Sequence, residues 1–176
     1  PKWDSGKRGA IRVCYVHFAA WGIVVLVAAY GKSQKDDLSV KEKKELRKAI
    51  ERIEIFPMHI REAVDGLNEM VLTTRYRPGG WNISQVVHHC ADSHMNAFIR
   101  FKLALTEEDP VIKPYDEARW AEGPDYLTDP AISLSILENV HFRWIILMKA
   151  MEKSDWDKSF VHPQYNRVQK LRQTVM

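Results

Sequence analysis

An all-α bundle is the fold class that this sequence predicts. Three long stretches carry apolar residues at helical spacing, each opens on a capping signal, and a fourth stretch begins near the end of the chain. A length of 176 residues suits one domain with its own core. The apolar fraction of 45% and charged fraction of 28% are those of an ordinary globular protein. The net charge of +3 is spread among acidic residues, which argues against a nucleic-acid surface. Cys14 and Cys90, without CxxC spacing, support neither a disulfide framework nor a cysteine zinc site. A reducing, cytoplasmic setting is the simpler expectation.

The first segment, residues 1–29, stands apart from the rest. A basic PKWDSGKRGAIR leads into VCYVHFAAWGIVVLVAAY, interrupted only by His17. Residues 13–30 could serve as a leader or membrane anchor. A bilayer span wants ~20 apolar residues, so the run is marginal. The reading preferred here is a buried N-terminal element or a stretch from a fragmentary frame, since the chain opens on Pro1. Residues 30–176 then form the bundle.

After GKSQKDD, Ser39 with Glu42 makes a capping box for the first helix. Leu46, Ala49, Ile50, Ile53 and Phe56 mark its apolar face. Pro57 lacks a backbone donor, so a kink or restart is expected there, and Gly66 ends the helix. The loop TTRYRPGGW cannot continue a helix, and Asn82 with Gln85 caps the next one, from about Ile83 to Leu105. Its apolar centre holds Ile83, Val86, Val87, Cys90, His94, Ala97, Phe98 and Phe101. His89, Asp92, Ser93, Asn96 and Arg100 form a polar stripe roughly 120° away, and His88 points further round, among Met95, Ile99 and Lys102.

The proline-punctuated EEDPVIKPYDEARWAEGPDYLTDP is long enough to be a packed crossover or a lid. Asp129-Pro130 opens the third helix, with Leu137, Val140, Trp144, Met148 and Met151 on one face and His141 at its border. SFVHP reads as a short extended piece, followed by the start of another helix. The tryptophans and methionines read as core.

Two readings of the stripe stand side by side: a ligand face centred on His89, or a hydrogen-bonded surface pair of His89 and Asp92. His94 reads as a satisfied core histidine, His141 as core or pocket edge, and His59 and His162 belong to no constellation. HExxH, P-loop, GxSxG and dinucleotide signatures are absent from the sequence. Ser93 lacks an orienting third group and is not read as a nucleophile.

Residues 76–105, YRPGGWNISQVVHHCADSHMNAFIRFKLAL, closely resemble the YfiT-like branch of the DinB superfamily. The likeness extends through PVIKPYDEARWAE, ENVHFRW and FVHP, and upstream through GKSQKDDLSV and the FP of ERIEIFPMHIREAVDGL, covering approximately residues 30–176. The resemblance implies a four-helix bundle and a divalent metal, nickel or zinc, on three histidines. It implies a metal-dependent hydrolase, or a transferase of low-molecular-weight thiols such as bacillithiol, acting on a small molecule; a missing fourth helix would expose the apolar faces of the other three, so a homodimer is expected. The first ligand in the family corresponds to His89. The other two come from an HxxxH on the last helix, and this chain ends at QKLRQTVM, where that helix would begin. That departure puts in doubt metal binding by this chain and leaves a non-catalytic binding or dimerisation bundle as the alternative. Asp92 and Asn96 are expected to support the ligand or contact substrate, and Arg100 to meet an anionic group or a neighbouring helix. Tyr76 and Arg77 are expected near the site entrance.

Overall fold

The structure is a computed structural model that describes residues 12–18, 23–30, 39–165 and 167–175. Its order is β1 (Arg12–Phe18), β2 (Ile23–Tyr30), α1 (Val40–Val64), α2 (Glu69–Leu72), α3 (Ile83–Thr106), α4 (Glu117–Trp120), α5 (Pro130–Ala150), β3 (Ser159–His162), β4 (Arg167–Lys170) and α6 (Leu171–Val175). Helix α5 packs against both α1 and α3, and these three make the body of the bundle. Two antiparallel strand pairs, β1–β2 and β3–β4, are added to the predicted helices. The segment read as a possible anchor therefore contributes two paired strands; its residues 1–11 and 19–22 lie outside the described ones.

Helix starts follow local chemistry. Ser39 accepts from the Glu42 amide while the Glu42 carboxylate accepts from the Ser39 amide. Asn82 and Gln85 repeat the exchange at α3, and Asp129 caps α5 with Pro130 in its first turn. At α1 the chain leaves the helix at Asp65, and Gly66 takes a φ of +69°, as its placement as a stop requires.

The kink or restart expected at Pro57 is not what forms: Val40–Val64 is one helix with Pro57 buried inside it. Proline cannot donate to the carbonyl of Ile53, four residues earlier. His141 of α5 supplies the missing donor, its Nδ1 lying 2.6 Å from the Ile53 oxygen. Since that oxygen only accepts, the imidazole proton sits on Nδ1, and Nε2 is left to accept from Nδ1–H of His94. Phe56 stacks on both imidazoles, with ring centroids 4.9 Å from His94 and 5.7 Å from His141. Burial pushes both pKa values down, to about 3 for His94 and about 4 for His141, so both rings are neutral. The two histidines read as core or border residues thus close a hydrogen-bonding gap in a neighbouring helix.

One hydrophobic cluster gathers Leu46, Phe101, Trp144, Met148, Trp156 and Phe160. A second gathers Ile60, Val86, Val87, Cys90 and Leu137. Trp144 and Trp156 are core as expected, but Trp120, Met58 and Met70 are exposed. Trp120 instead leans on the Tyr115 ring of the crossover at 4.5 Å. The tail departs from the expected helix as well. After β3 the chain returns as β4, pairing Ser159 with Lys170 and His162 with Arg167, and only then enters α6. Arg172 of α6 is buried and paired with Asp157 at 3.0 Å.

Candidate active site on the polar stripe of α3

The glycine loop delivers the start of α3 and, with it, the stripe. Gly79 takes a φ of +71°, and a Cβ on Gly80 would sit 2.6 Å from the Tyr76 ring, so this pair admits little else. Tyr76 itself accepts from Arg77 Nε at 2.8 Å. Trp81, the next residue, places its indole 4.7 Å from the His89 imidazole, tilted by 53°.

His89 is 6% exposed, and its Nδ1 is buried without a hydrogen-bond partner. Its Nε2 lies 3.9 Å from a Glu117 carboxylate oxygen, beyond hydrogen-bonding distance. Burial lowers its pKa, against the opposing pull of Glu117 and Asp92. A buried, neutral imidazole with an unpartnered nitrogen is costly to a fold and well suited to a ligand.

The long connection packs over this stripe. Tyr126 donates to the Asp92 carboxylate at 2.6 Å, and its phenol pKa is raised by burial and then by Asp92. Tyr115 is also raised, chiefly by burial, with Ser93 and Arg100 pulling the other way. Glu117, on α4, reaches toward His89. Asn96 donates to the Asp92 backbone oxygen at 2.8 Å, spending its amide on the helix. Gln85 Nε2 donates to the Ala121 carbonyl at 2.9 Å and pins the connection to α3.

His88, placed by the helical wheel among Met95, Ile99 and Lys102, is 4% exposed, whereas Ile99 and Lys102 are exposed. Its Nε2 lies 3.2 Å from the Thr128 carbonyl, which can only accept, and its Nδ1 lies 2.7 Å from Ser133 Oγ. The Tyr126 ring lies 5.2 Å away. His88 is therefore the clasp that holds residues 126–133 against α3, and so holds Tyr126 over Asp92. Spacing gives an angle on α3 but not what packs there, and α5 covers that angle.

The structure thus brings His89 and Asp92 together under Tyr126 and Glu117, with Arg100 further along the same helix. Sequence reasoning missed Trp81, Glu117, Tyr115 and Tyr126. The crossover's length was the signal that it covers a site, but its register on α3 was not legible.

As a metal centre the described residues are incomplete. His89 has the chemistry of a ligand, yet among the described residues His, Cys, Asp and Glu side chains form no group of three able to hold an ion.

A helical bundle with a histidine-centred polar cluster packed under a long crossover is the class of protein defined so far. The chain belongs to the DinB superfamily, whose sequence profile matches residues 52–175. A protein of Oceanobacillus iheyensis named "Putative metal-dependent hydrolase" is 51% identical over 115 residues, covering 65% of this chain and 67% of that protein. A Bacillus cereus protein of the same name is 50% identical over 115 residues, covering 65% and 66%. The chain thus spans about two thirds of the length of these relatives. Among solved structures, YfiT from Bacillus subtilis superposes with a TM-score of 0.74 at 40% identity, covering 81% of this chain and 80% of that one. It is described as "a probable metal-dependent hydrolase with an unusual four-helix bundle topology". The bundle expected from the sequence is the one found.

Proposed function

We propose that this chain is the greater part of a metal-dependent hydrolase of small molecules, with His89 as one of three metal ligands. The observation that carries the reading is the buried, unpartnered Nδ1 of a neutral His89 beside Glu117 and Asp92. Nitrogen ligation of this kind suits nickel or zinc. The chain's own residues have definable tasks. Tyr126 holds one oxygen of Asp92, which leaves the other as an acceptor for water or substrate. Trp81 keeps water from the His89 ring, and His88 with Ser133 keeps the connection closed above.

Transfer of a low-molecular-weight thiol to an electrophile is the finer alternative for the same pocket. Cys90 is the described cysteine of α3, and burial pushes its thiol up to about 12, so the attacking sulfur would belong to a substrate. The exposed Ile132, Ile136, Phe142 and Ile146 of α5 support a homodimer.

Elemental analysis of the purified chain beside His89→Ala tests the reading. About one nickel or zinc per chain, lost in the variant, is the expected result if other residues or a second subunit complete the ligand set. Equal metal in both proteins would remove His89 as a ligand, and none in either would favour a non-catalytic binding bundle.

A further inference from the structure

A small molecule cannot reach His89 unless something over it moves, because the residue is only 6% exposed. Two side chains border the imidazole: Trp81, with ring centroids 4.7 Å apart, and Glu117, whose Oε2 lies 3.9 Å from Nε2. Trp81 is fixed on both sides. The Gly80 carbonyl before it accepts from Arg75 at 2.5 Å, and Asn82 after it is locked into the capping box of α3 at 2.7 and 3.0 Å. Tyr126, over the neighbouring Asp92, is buried and bonded to it at 2.6 Å.

Glu117 rides on a different kind of segment. The connection is anchored at Ile112, which is buried and donates its N–H to the Val161 carbonyl at 3.0 Å. It is anchored again at Ala121, also buried, whose carbonyl accepts from Gln85 at 2.9 Å. Between these points residues 113–120 are exposed, apart from the half-buried Pro114 and Tyr115. Among the described residues, their backbone hydrogen bonds run no further than Gly123: Trp120 N–H donates to Asp116, Ala121 N–H to Glu117 and Gly123 N–H to Trp120. The Trp120 ring packs on Tyr115 of the same segment, at 4.5 Å. Toward α3 the segment offers Glu117 at His89 and Tyr115 at Ser93. The Glu117 contact is too long for a hydrogen bond, and an exposed carboxylate at such a distance contributes at most about 1 kcal/mol. A segment with its own hydrogen bonds, little buried apolar surface and firm ends opens as a unit at small cost while the elements on either side hold.

We propose that residues 113–120 form a strap that swings between its anchors at Ile112 and Ala121, and that its opening admits small molecules to His89. Glu117 and Tyr115 are the latches. With the strap down, Glu117 occupies the approach to Nε2; with the strap up, that edge of the ring meets solvent. The inference deepens the reading of His89 as the functional centre and rests on it.

The test is modification of the full chain by diethyl pyrocarbonate at about pH 8, where histidine rings are neutral, with each site read by tandem mass spectrometry. Exposed His59 sets the unhindered rate, and His141, 2% exposed, reports global unfolding. His89 should react more slowly than His59 but well ahead of His141. Its rate should hardly change in low urea, whereas that of His141 climbs with urea as global opening does. Tyr115→Phe should raise the His89 rate by about two- to tenfold, the range for one net hydrogen bond, and leave His141 unchanged. Glu117→Ala should raise it by at least about twofold. If a variant loosens the whole fold, the ratio of the His89 rate to the His141 rate still isolates the strap. His89 reacting only in step with His141 would overturn the proposal. So would one His89 rate in the parent and both variants, which would make Trp81 the cover that moves. The metal content of His89→Ala reads the hydrolase proposal separately. Metal without latch-dependent reactivity removes only the strap, and latch-dependent reactivity without metal removes only the metal.

Discussion

Replacing His141 with phenylalanine isolates the interaction that lets Pro57 sit inside α1. The substitution keeps an aromatic ring beside Phe56 and Trp144 but strips the donor from the Ile53 carbonyl and the acceptor from His94 Nδ1–H. Each buried group left unpaired costs about 1–3 kcal/mol, so the variant should lose about 2–6 kcal/mol. Pro57→Ala returns a backbone N–H to the position that ordinarily donates to Ile53. In the double variant the Ile53 carbonyl is satisfied from within α1, and only the His94 donor stays orphaned. The loss should therefore shrink by about 1–2 kcal/mol relative to the sum of the single variants. Urea unfolding followed by tryptophan fluorescence measures all four proteins on one scale. Additivity within about 0.5 kcal/mol would refute the claim that His141 stands in for the missing proline N–H.

Acid should destabilise the fold through the same pair. The folded pKa values of His94 and His141, about 3 and about 4, lie below the ordinary 6.5, so the unfolded chain takes up protons first. Their contribution is whole above pH 6.5 and is lost as pH falls toward those folded values, with a slope approaching about 1.4 kcal/mol per pH unit for each ring. Thermal melts from about pH 8 down to about pH 5 check this, and a flat Tm below the histidine range would contradict it. Tyr126→Phe removes the donor to Asp92 and should cost about 1–3 kcal/mol in a urea titration, while the parent Tyr126 resists ionisation in an ultraviolet titration to high pH. Gly80→Ala forces its Cβ into the Tyr76 ring and should lower stability by about 1–3 kcal/mol; an unchanged melting temperature would show that the ring yields freely. His89→Leu in metal-free protein should be neutral or stabilising by about 1 kcal/mol, because it replaces a buried imidazole whose Nδ1 has no partner. A clear loss of stability there would mean that His89 holds the fold rather than a ligand.

Helix ends were legible in the sequence because caps act within a single turn. Ser39 with Glu42, Asn82 with Gln85 and Asp129 with Pro130 each settle their geometry within a few residues, and the structure contains all three. The apolar periodicity likewise identified the buried sides of α1, α3 and α5, since a face at helical spacing has to be covered by something. His89, Asp92 and Arg100 could be placed on one stripe by angle alone, and the family likeness singled out His89 within it.

Tertiary structure decided what covers what. The wheel placed His88 off the stripe, among Met95, Ile99 and Lys102, and could not show that Ser133 and the Thr128 carbonyl, 45 and 40 residues away, bury it as a clasp. Pro57 reads as a break from within its own helix and is tolerated because His141, 88 residues beyond Ile53, arrives with a proton to give. Tyr126 meets Asp92 across 34 residues. Backbone propensity and capping depend on neighbours in the chain, so they can be read from the sequence; the pairing of a buried donor with an acceptor depends on neighbours in space, which only the packed bundle brings together.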